Sequence, residues 1–415
     1  MAWARLGVIC LNSGQAGKAM EYFTKAHELS GDVSERERLY IDGHYYSEVV
    51  GDLDKAIETL EVAIQEYPLQ VENYINLGTY YTAKGQLEKA QQVFLKVLAL
   101  QPDQAVGLDD VIAGYMQLDQ YDDARKYVAQ AKRQGLNSTD TLQYELALYG
   151  VTGDTAGTQT ILAAGAGRPD QFMLTGQWGR IQAQAGQFRA AAGTLQKAAA
   201  QAGGAKAADA QAAFVLFAAN AGWPVGECQD AERAAKQALT LDKSKPTQIG
   251  VAATHAFCGL AKLALPELDA LEKKYPDDTL VQQVFVPQAL AYLALQTGDA
   301  QKAIDLLAKS QAFDVVSPGA YLRGLAYLDR HDAGNAIAAF KSGTKYKGAS
   351  YLNENNSPFP MNDYALGLLG LGRAYAMAGN KTEAKSAYEK FFEEWKNADA
   401  GLAVMGQAKK EYAAL

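Results

Sequence analysis

Residues 72–102 read ENYINLGTYYTAKGQLEKAQQVFLKVLALQP. Tyr74, Leu77, Gly78 and Tyr81 recur three and four apart, the spacing of one helix face. A turn follows in AKGQ, and Ala90, Phe94 and Val97 repeat the spacing on a second helix. Pro102 cannot continue that helix and closes the unit. Gly78 and Ala90 are small enough to let the two helices approach, and Tyr81 and Phe94 fill the wider gaps. One such hairpin cannot bury its apolar face alone, whereas stacked copies can.

The copies are present. Ala56, Ala90 and Ala124 stand 34 residues apart, and so do Pro68 and Pro102. This pattern resembles the tetratricopeptide repeat, W-x2-L-G-x2-Y…A-x3-F…P. It recurs at Trp3, Leu6, Gly7, Ala19, Phe23 and Ala26, and at Leu371, Gly372, Tyr375, Ala384 and Tyr388. Weaker copies are anchored at Ala191, Ala231, Ala264 with Pro276, Ala303 with Leu307, and Ala336 with Phe340. Residues 142–162 are degenerate but keep register. The expected fold is all-α, a right-handed superhelical solenoid of about eleven helix-turn-helix repeats.

The expected division is four clear units over 1–136, Ala-rich degenerate units over 137–243, and further units over 244–343. An insertion follows at 344–363 (TKYKGASYLNENNSPFPMND), then a last unit at 364–397 and a capping helix at 398–415. The insertion, rich in Asn, Pro and aromatics, reads as a structured loop.

Composition excludes several classes. Forty-eight per cent of the 415 residues are hydrophobic and 21% charged, so the chain can bury a large interior. The formal net charge of -8 argues against nucleic acid and anionic membranes as partners. No apolar run, AAFVLFAANAGW (212–223) included, reaches the ~18 residues of a membrane span. Cys10, Cys228 and Cys258 are odd in number and far apart, so they read as buried apolar residues rather than as a disulfide or zinc site.

Catalytic motifs are missing. His27, His44, His255 and His331 have no partner at metal-ligand spacing. The GLGRAY of 370–375 lacks a preceding strand, and Gly372 sits at the small position of the repeat. The DRHD of 329–332 falls in a turn and has the wrong order for a kinase loop. No enzyme activity, cofactor or metal is expected.

What the repeats offer is a concave surface lined by the first helix of each pair. The inward positions of the first four units are Arg5, Asp42, Asn76 and Asp110, with Tyr45, Glu48, Glu72 and Asp109 beside them. That surface is polar and acidic, suited to a protein or peptide carrying Lys or Arg and an apolar anchor. In the last units the same positions are Tyr321, Leu322, Leu325, Leu369, Gly370 and Arg373, an apolar end expected to pack on the aromatic insertion. The first unit has no polar cap for Trp3, Leu6 and Val8, which reads as a cut with more protein upstream.

A second resemblance bears on that cut. Residues 34–68, 275–307 and 372–415 resemble the C-terminal repeat region of large bacterial serine/threonine protein kinases. The resemblance implies a sensing or scaffolding arm without kinase activity of its own. A stand-alone adaptor and the repeat region of a winged-helix regulator are the alternatives. Compartment follows the parent: cytoplasmic by default, extracytoplasmic with an upstream membrane helix.

Overall fold

The computed structural model describes residues 1–12, 15–136, 138–352 and 363–415. Among them, helices pair in sequence order. The first four pairs are α1 (Ala2–Asn12) with α2 (Ala16–Glu28), α3 (Glu35–His44) with α4 (Leu53–Glu66), α5 (Val71–Ala83) with α6 (Leu87–Leu100), and α7 (Ala105–Gln117) with α8 (Tyr121–Arg133). Three Ala-rich pairs follow: α9 (Thr139–Thr152) with α10 (Thr155–Ala164), α11 (Gln171–Gln184) with α12 (Phe188–Gly204), and α13 (Ala208–Asn220) with α14 (Ala231–Leu241). The remaining pairs are α15 (Lys245–Phe257) with α16 (Ala261–Lys274), α17 (Val286–Gln296) with α18 (Ala300–Leu307), α19 (Gly319–Asp329) with α20 (Ala333–Gly343), and α21 (Tyr364–Met377) with α22 (Lys381–Glu394). A last helix, α23 (Ala403–Ala413), closes the array. The described residues thus hold eleven pairs and a terminal helix, the expected repeat solenoid.

The local chemistry explains the pairs. At Gly7, Gly324 and Gly372 a Cβ would come within 2.6, 2.5 and 2.9 Å of Phe23, Phe340 and Tyr388, and at Gly78 it would strike Phe94. The small residue of the first helix therefore receives the aromatic of the second. Asp52, Asp154, Asp299 and Asp332 start second helices by accepting a backbone N–H three residues on, which satisfies an otherwise orphaned donor. Arg373 and Tyr388 both bond Glu411, which ties α23 over the last pair.

The superhelix winds far enough for its second turn to rest on its first. Thr279 N donates to Gly51 O at 2.9 Å, and Leu53 N to Thr279 Oγ1 at 3.1 Å. Trp395 Nε1 donates to Gln184 O at 3.0 Å, and Asp399 N to Gly186 O at 3.0 Å. Gly51 and Gly186 have φ of +84° and +72°, and a Cβ on either would meet the second turn, at Asp278 and at Ala398 with Trp395. The apolar seam between turns joins Leu87 to Val284, Phe313, Val316 and Ala349. The array is therefore closed on itself along one edge.

Of the insertion, residues 344–352 are described, with a 3-10 turn at Gly348–Tyr351. The rest, apart from Asp363, lies outside the described residues. The cysteines correct the sequence expectation: Cys228 and Cys258 form a disulfide, with Cα atoms 5.7 Å apart, and Cys10 is a buried thiol. Their sequence separation of 30 hid the pairing, because the α13–α14 connection folds back onto the end of α15.

Candidate peptide-binding groove

The first helices of successive pairs lie side by side, and what covers them changes along the array. On α1, α3 and α5 they carry the sequence-predicted polar residues. Arg5 and Glu72 are exposed. Tyr40 lies in the field of both; burial raises its phenol pKa, with Arg5 lowering it and Glu72 raising it. Beneath, His44 meets the edge of Tyr40 at 4.8 Å, stacks on Phe23 at 4.9 Å, and has Asn76 Nδ2 3.4 Å from its Nε2. Burial depresses the His44 pKa to about 4, so the ring is neutral at pH 7.

The other expected groove residues have partners within the fold. Asp42 lies 2.9 Å from His27 Nδ1, and Tyr45 stacks on the His27 ring at 3.8 Å. Glu48 accepts from Ser47 Oγ at 3.1 Å; burial raises its pKa, and the nearby charges of Lys245 and Asp278 place it at the contact with the second turn. Asp109 is buried between α7 and α9, accepting from Ser138 Oγ at 2.7 Å and Thr141 Oγ1 at 2.5 Å. Burial pushes its pKa up to about 6, against the pull of the two hydroxyls. Asp110 is half-buried on α7. The structure therefore sets Tyr40 in the field of Arg5 and Glu72, Asn76 beside His44, and Asp42 with Tyr45 at His27, and uses Glu48 and Asp109 as internal contacts. His255 also meets a carboxylate, Glu267, at 2.8 Å. Among the described residues no three His, Cys, Asp or Glu side chains are placed to share a metal.

Over α7, α9 and α11 the surface is covered by residues 345–352. Asp119 accepts from two consecutive backbone groups, Lys347 N at 3.0 Å and Gly348 N at 2.6 Å. Gln177 and Gln184 donate to the carbonyls of Tyr351 and Ser350 at 2.6 and 2.5 Å. Tyr351 and Leu352 are buried in the same cluster as Met116, Leu142, Leu174 and Ile181. Glu88 takes Lys345 Nζ at 3.1 Å and Tyr346 Oη at 2.6 Å.

Over α15, α17 and α19 the cover is Trp223, 1% exposed, in the α13–α14 connection. Its ring packs edge-on to Phe257 at 4.4 Å, Tyr292 at 5.4 Å and Tyr321 at 6.5 Å. The apolar later units were expected to pack on the aromatic insertion. Residues 353–362 of that insertion lie outside the described residues; among those described, Tyr321 meets Trp223, and the disulfide closes the connection that carries it.

Sequence reasoning missed Asp119, Gln177, Gln184 and Trp223. One signal was available. The turn positions 51, 85, 119 and 153 keep the 34-residue spacing and read Gly, Gly, Asp, Gly; all four have positive φ, with Asp119 at +59°.

Comparisons with known proteins agree with this architecture. Two tetratricopeptide repeat family models match, one over residues 50–108 and one over residues 2–32. Residues 2–32 and 50–108 therefore carry tetratricopeptide repeats. No curated protein matches it significantly. Among solved structures, yeast Tom70 aligns at 13% identity over 100% of this chain and 94% of its own, with a TM-score of 0.41. A human IFIT1 dimer with PPP-AAAA aligns at 14% identity over 94% and 89%, with a TM-score of 0.40. A tetratricopeptide repeat protein from Parabacteroides merdae aligns at 16% identity over 77% and 98%, with a TM-score of 0.27.

Proposed function

We propose that this chain is a protein-interaction scaffold that binds a basic peptide or protein segment on the first helices of its N-terminal units. The supporting observation is on α1, α3 and α5: the charges of exposed Arg5 and Glu72 both act on Tyr40, whose ring meets the edge of His44, and His44 stacks on Phe23 with Asn76 beside it. Aromatic floor and exposed charge together suit a peptide with a cationic side chain and an apolar anchor. Asp42 and Tyr45 extend the row; Asp109 and Asp110 bound it at α7. The proposed chemistry is binding alone, with no catalysis or cofactor.

The finer reading, an arm of a bacterial serine/threonine kinase acting in signalling, is supported by the resemblance of residues 34–68, 275–307 and 372–415. The alternatives are a stand-alone adaptor and the arm of a winged-helix regulator. The Cys228–Cys258 disulfide favours an oxidising compartment for the arm. No helix among the described residues is long and apolar enough to cross a membrane.

A peptide array tests the binding reading. Basic peptides should bind, more weakly as salt rises, because exposed charges are screened over about 8 Å at physiological ionic strength. Glu72→Lys should reduce that binding more than Glu58→Lys on the second helix α4. Equal effects, or acidic hits, would overturn the assignment.

A further inference from the structure

Residues 345–352 are not part of a repeat, yet they are held as a bound peptide would be. Three side chains of the array recognise their main chain: Asp119 takes two adjacent N–H groups, and Gln177 and Gln184 supply donors to two adjacent carbonyls. Main-chain recognition of this kind is independent of sequence, and specificity comes from pockets. Two such pockets are present. Tyr351 is 8% exposed and Leu352 6% exposed within the α7–α11 cluster. At Gly348 a Cβ would strike the carbonyl of Met116, so only glycine fits there. Lys347 Nζ, the flanking charge, lies 2.7 Å from Glu394.

Asp119 itself points the same way. It stands where the repeat spacing places glycine, in a left-handed conformation at φ +59°. A side chain is less readily accommodated there than glycine, and backbone strain of this kind collects at ligand clamps. The compensating interactions are the two N–H bonds to the segment and the Tyr121 hydroxyl at 2.7 Å.

We infer that the groove over α7, α9 and α11 is a peptide site occupied in cis by residues 345–352. Its ligand in trans is a peptide of the same chemistry: Lys-Gly, two small residues, then Tyr and an apolar residue. This rests on the reading of the array as a peptide scaffold and names a second site on it, distinct from the Arg5–Glu72 row. The cis segment acts as an internal competitor, so the site opens only when that segment is displaced.

The test uses the full chain and a fluorescein-labelled peptide TKYKGASYL (344–352). Tyr351→Ala removes the buried anchor and should bind the peptide at least ten times more tightly than the wild-type chain, measured by anisotropy. A peptide with alanine for its glycine should lose at least tenfold, and Gln184→Ala added to Tyr351→Ala should lose a similar factor. Gly348→Ala is the second way to open the site, leaving every anchoring side chain in place, and serves if Tyr351→Ala does not fold. A folded, opened chain that binds the peptide no better than wild type overturns the inference, as does equal binding of the glycine and alanine peptides. If array peptides still bind at the Arg5–Glu72 row in that case, the scaffold reading stands alone; if neither chain binds any peptide, both fall.

Discussion

The first three pairs and the eighth to tenth pairs are built on the same repeat, yet their first helices end differently. On α1, α3 and α5 Arg5 and Glu72 are exposed, and Phe23, His44 and Tyr40 pack ring on ring. On α15, α17 and α19 the corresponding surface is sealed by Trp223, which a disulfide-closed connection holds in place. Between them, α7 to α11 hold residues 345–352. The repeat builds a groove everywhere; the segments that depart from it decide which stretch stays open. A residue between repeats can therefore matter more to what the groove exposes than a residue within them.

The sharpest way to break this contrast is to remove the seal. Trp223→Ala empties a fully buried site against three aromatic rings and should destabilise the chain by about 3–5 kcal/mol in urea unfolding. A loss below ~1 kcal/mol would mean the later units pack equally well without their cover. Replacing Cys228 and Cys258 by serine acts on the same region more gently. With a sequence separation of 30, the chain-entropy picture gives about 3–4 kcal/mol. Reductant should produce the same shift in the wild-type chain and none in the double variant. In intact-mass spectrometry after alkylation of the denatured chain without reductant, one thiol, Cys10, should react; three would show that the bridge does not form in solution.

The repeat was legible because its period is long-range evidence: Gly78 and Ala90 are ambiguous alone, but their echoes at Gly7 with Ala19 and Gly372 with Ala384 are not. The number of pairs followed from the same spacing. The covers were not legible. Trp223, Cys228 and residues 345–352 act on helices far along the chain, and no local pattern shows where a superhelix brings them. The acidic groove was misjudged in part for the same reason. Helical position showed that Asp42, Glu48 and Asp109 face inward, but whether an inward carboxylate meets solvent, His27, Lys245 or a pair of hydroxyls depends on neighbours in other units. Asp119 was the exception, since its place among Gly51, Gly85 and Gly153 was visible in the sequence.

Asp109 marks the border between the open and the covered groove, and its charge makes that border pH-dependent. Burial raises its pKa from 3.8 to about 6 in the folded chain. An acid whose folded pKa is raised binds protons more tightly folded than unfolded. Its contribution is thus fully present below about pH 4 and is lost as pH rises through about 6. The loss is of the order of 2–3 kcal/mol at pH 7. Asp109→Asn keeps an acceptor for Ser138 and Thr141 without the charge. It should melt at a higher temperature than wild type at pH 7.5 and at nearly the same temperature at pH 4. A constant difference across that range would show that the charge is not what the burial opposes.

The smallest expected effect gives the cleanest control. Leu6 and Leu77 are the same residue at the same repeat position, one before the Gly7 and the other before the Gly78 that receive Phe23 and Phe94. They differ in what lies over them. Leu77 is 5% exposed and packs with Leu53, Ala56, Ile57 and Leu60 of the preceding unit. Leu6 is 41% exposed, in a row with Trp3 at 41% and Ile9 at 62%. Leu77→Ala therefore removes buried methyl groups and leaves a cavity, a loss of about 2–5 kcal/mol. Leu6→Ala leaves no cavity, and about 1 kcal/mol or less is expected. Amide exchange should follow the same order, with α1 and α2 less protected than α5 and α6, because stability in a stacked array depends on neighbours. If Leu6→Ala costs as much as Leu77→Ala, something covers the Trp3–Leu6–Ile9 face in solution. Sedimentation at two protein concentrations would then show whether that cover is a second copy of the chain.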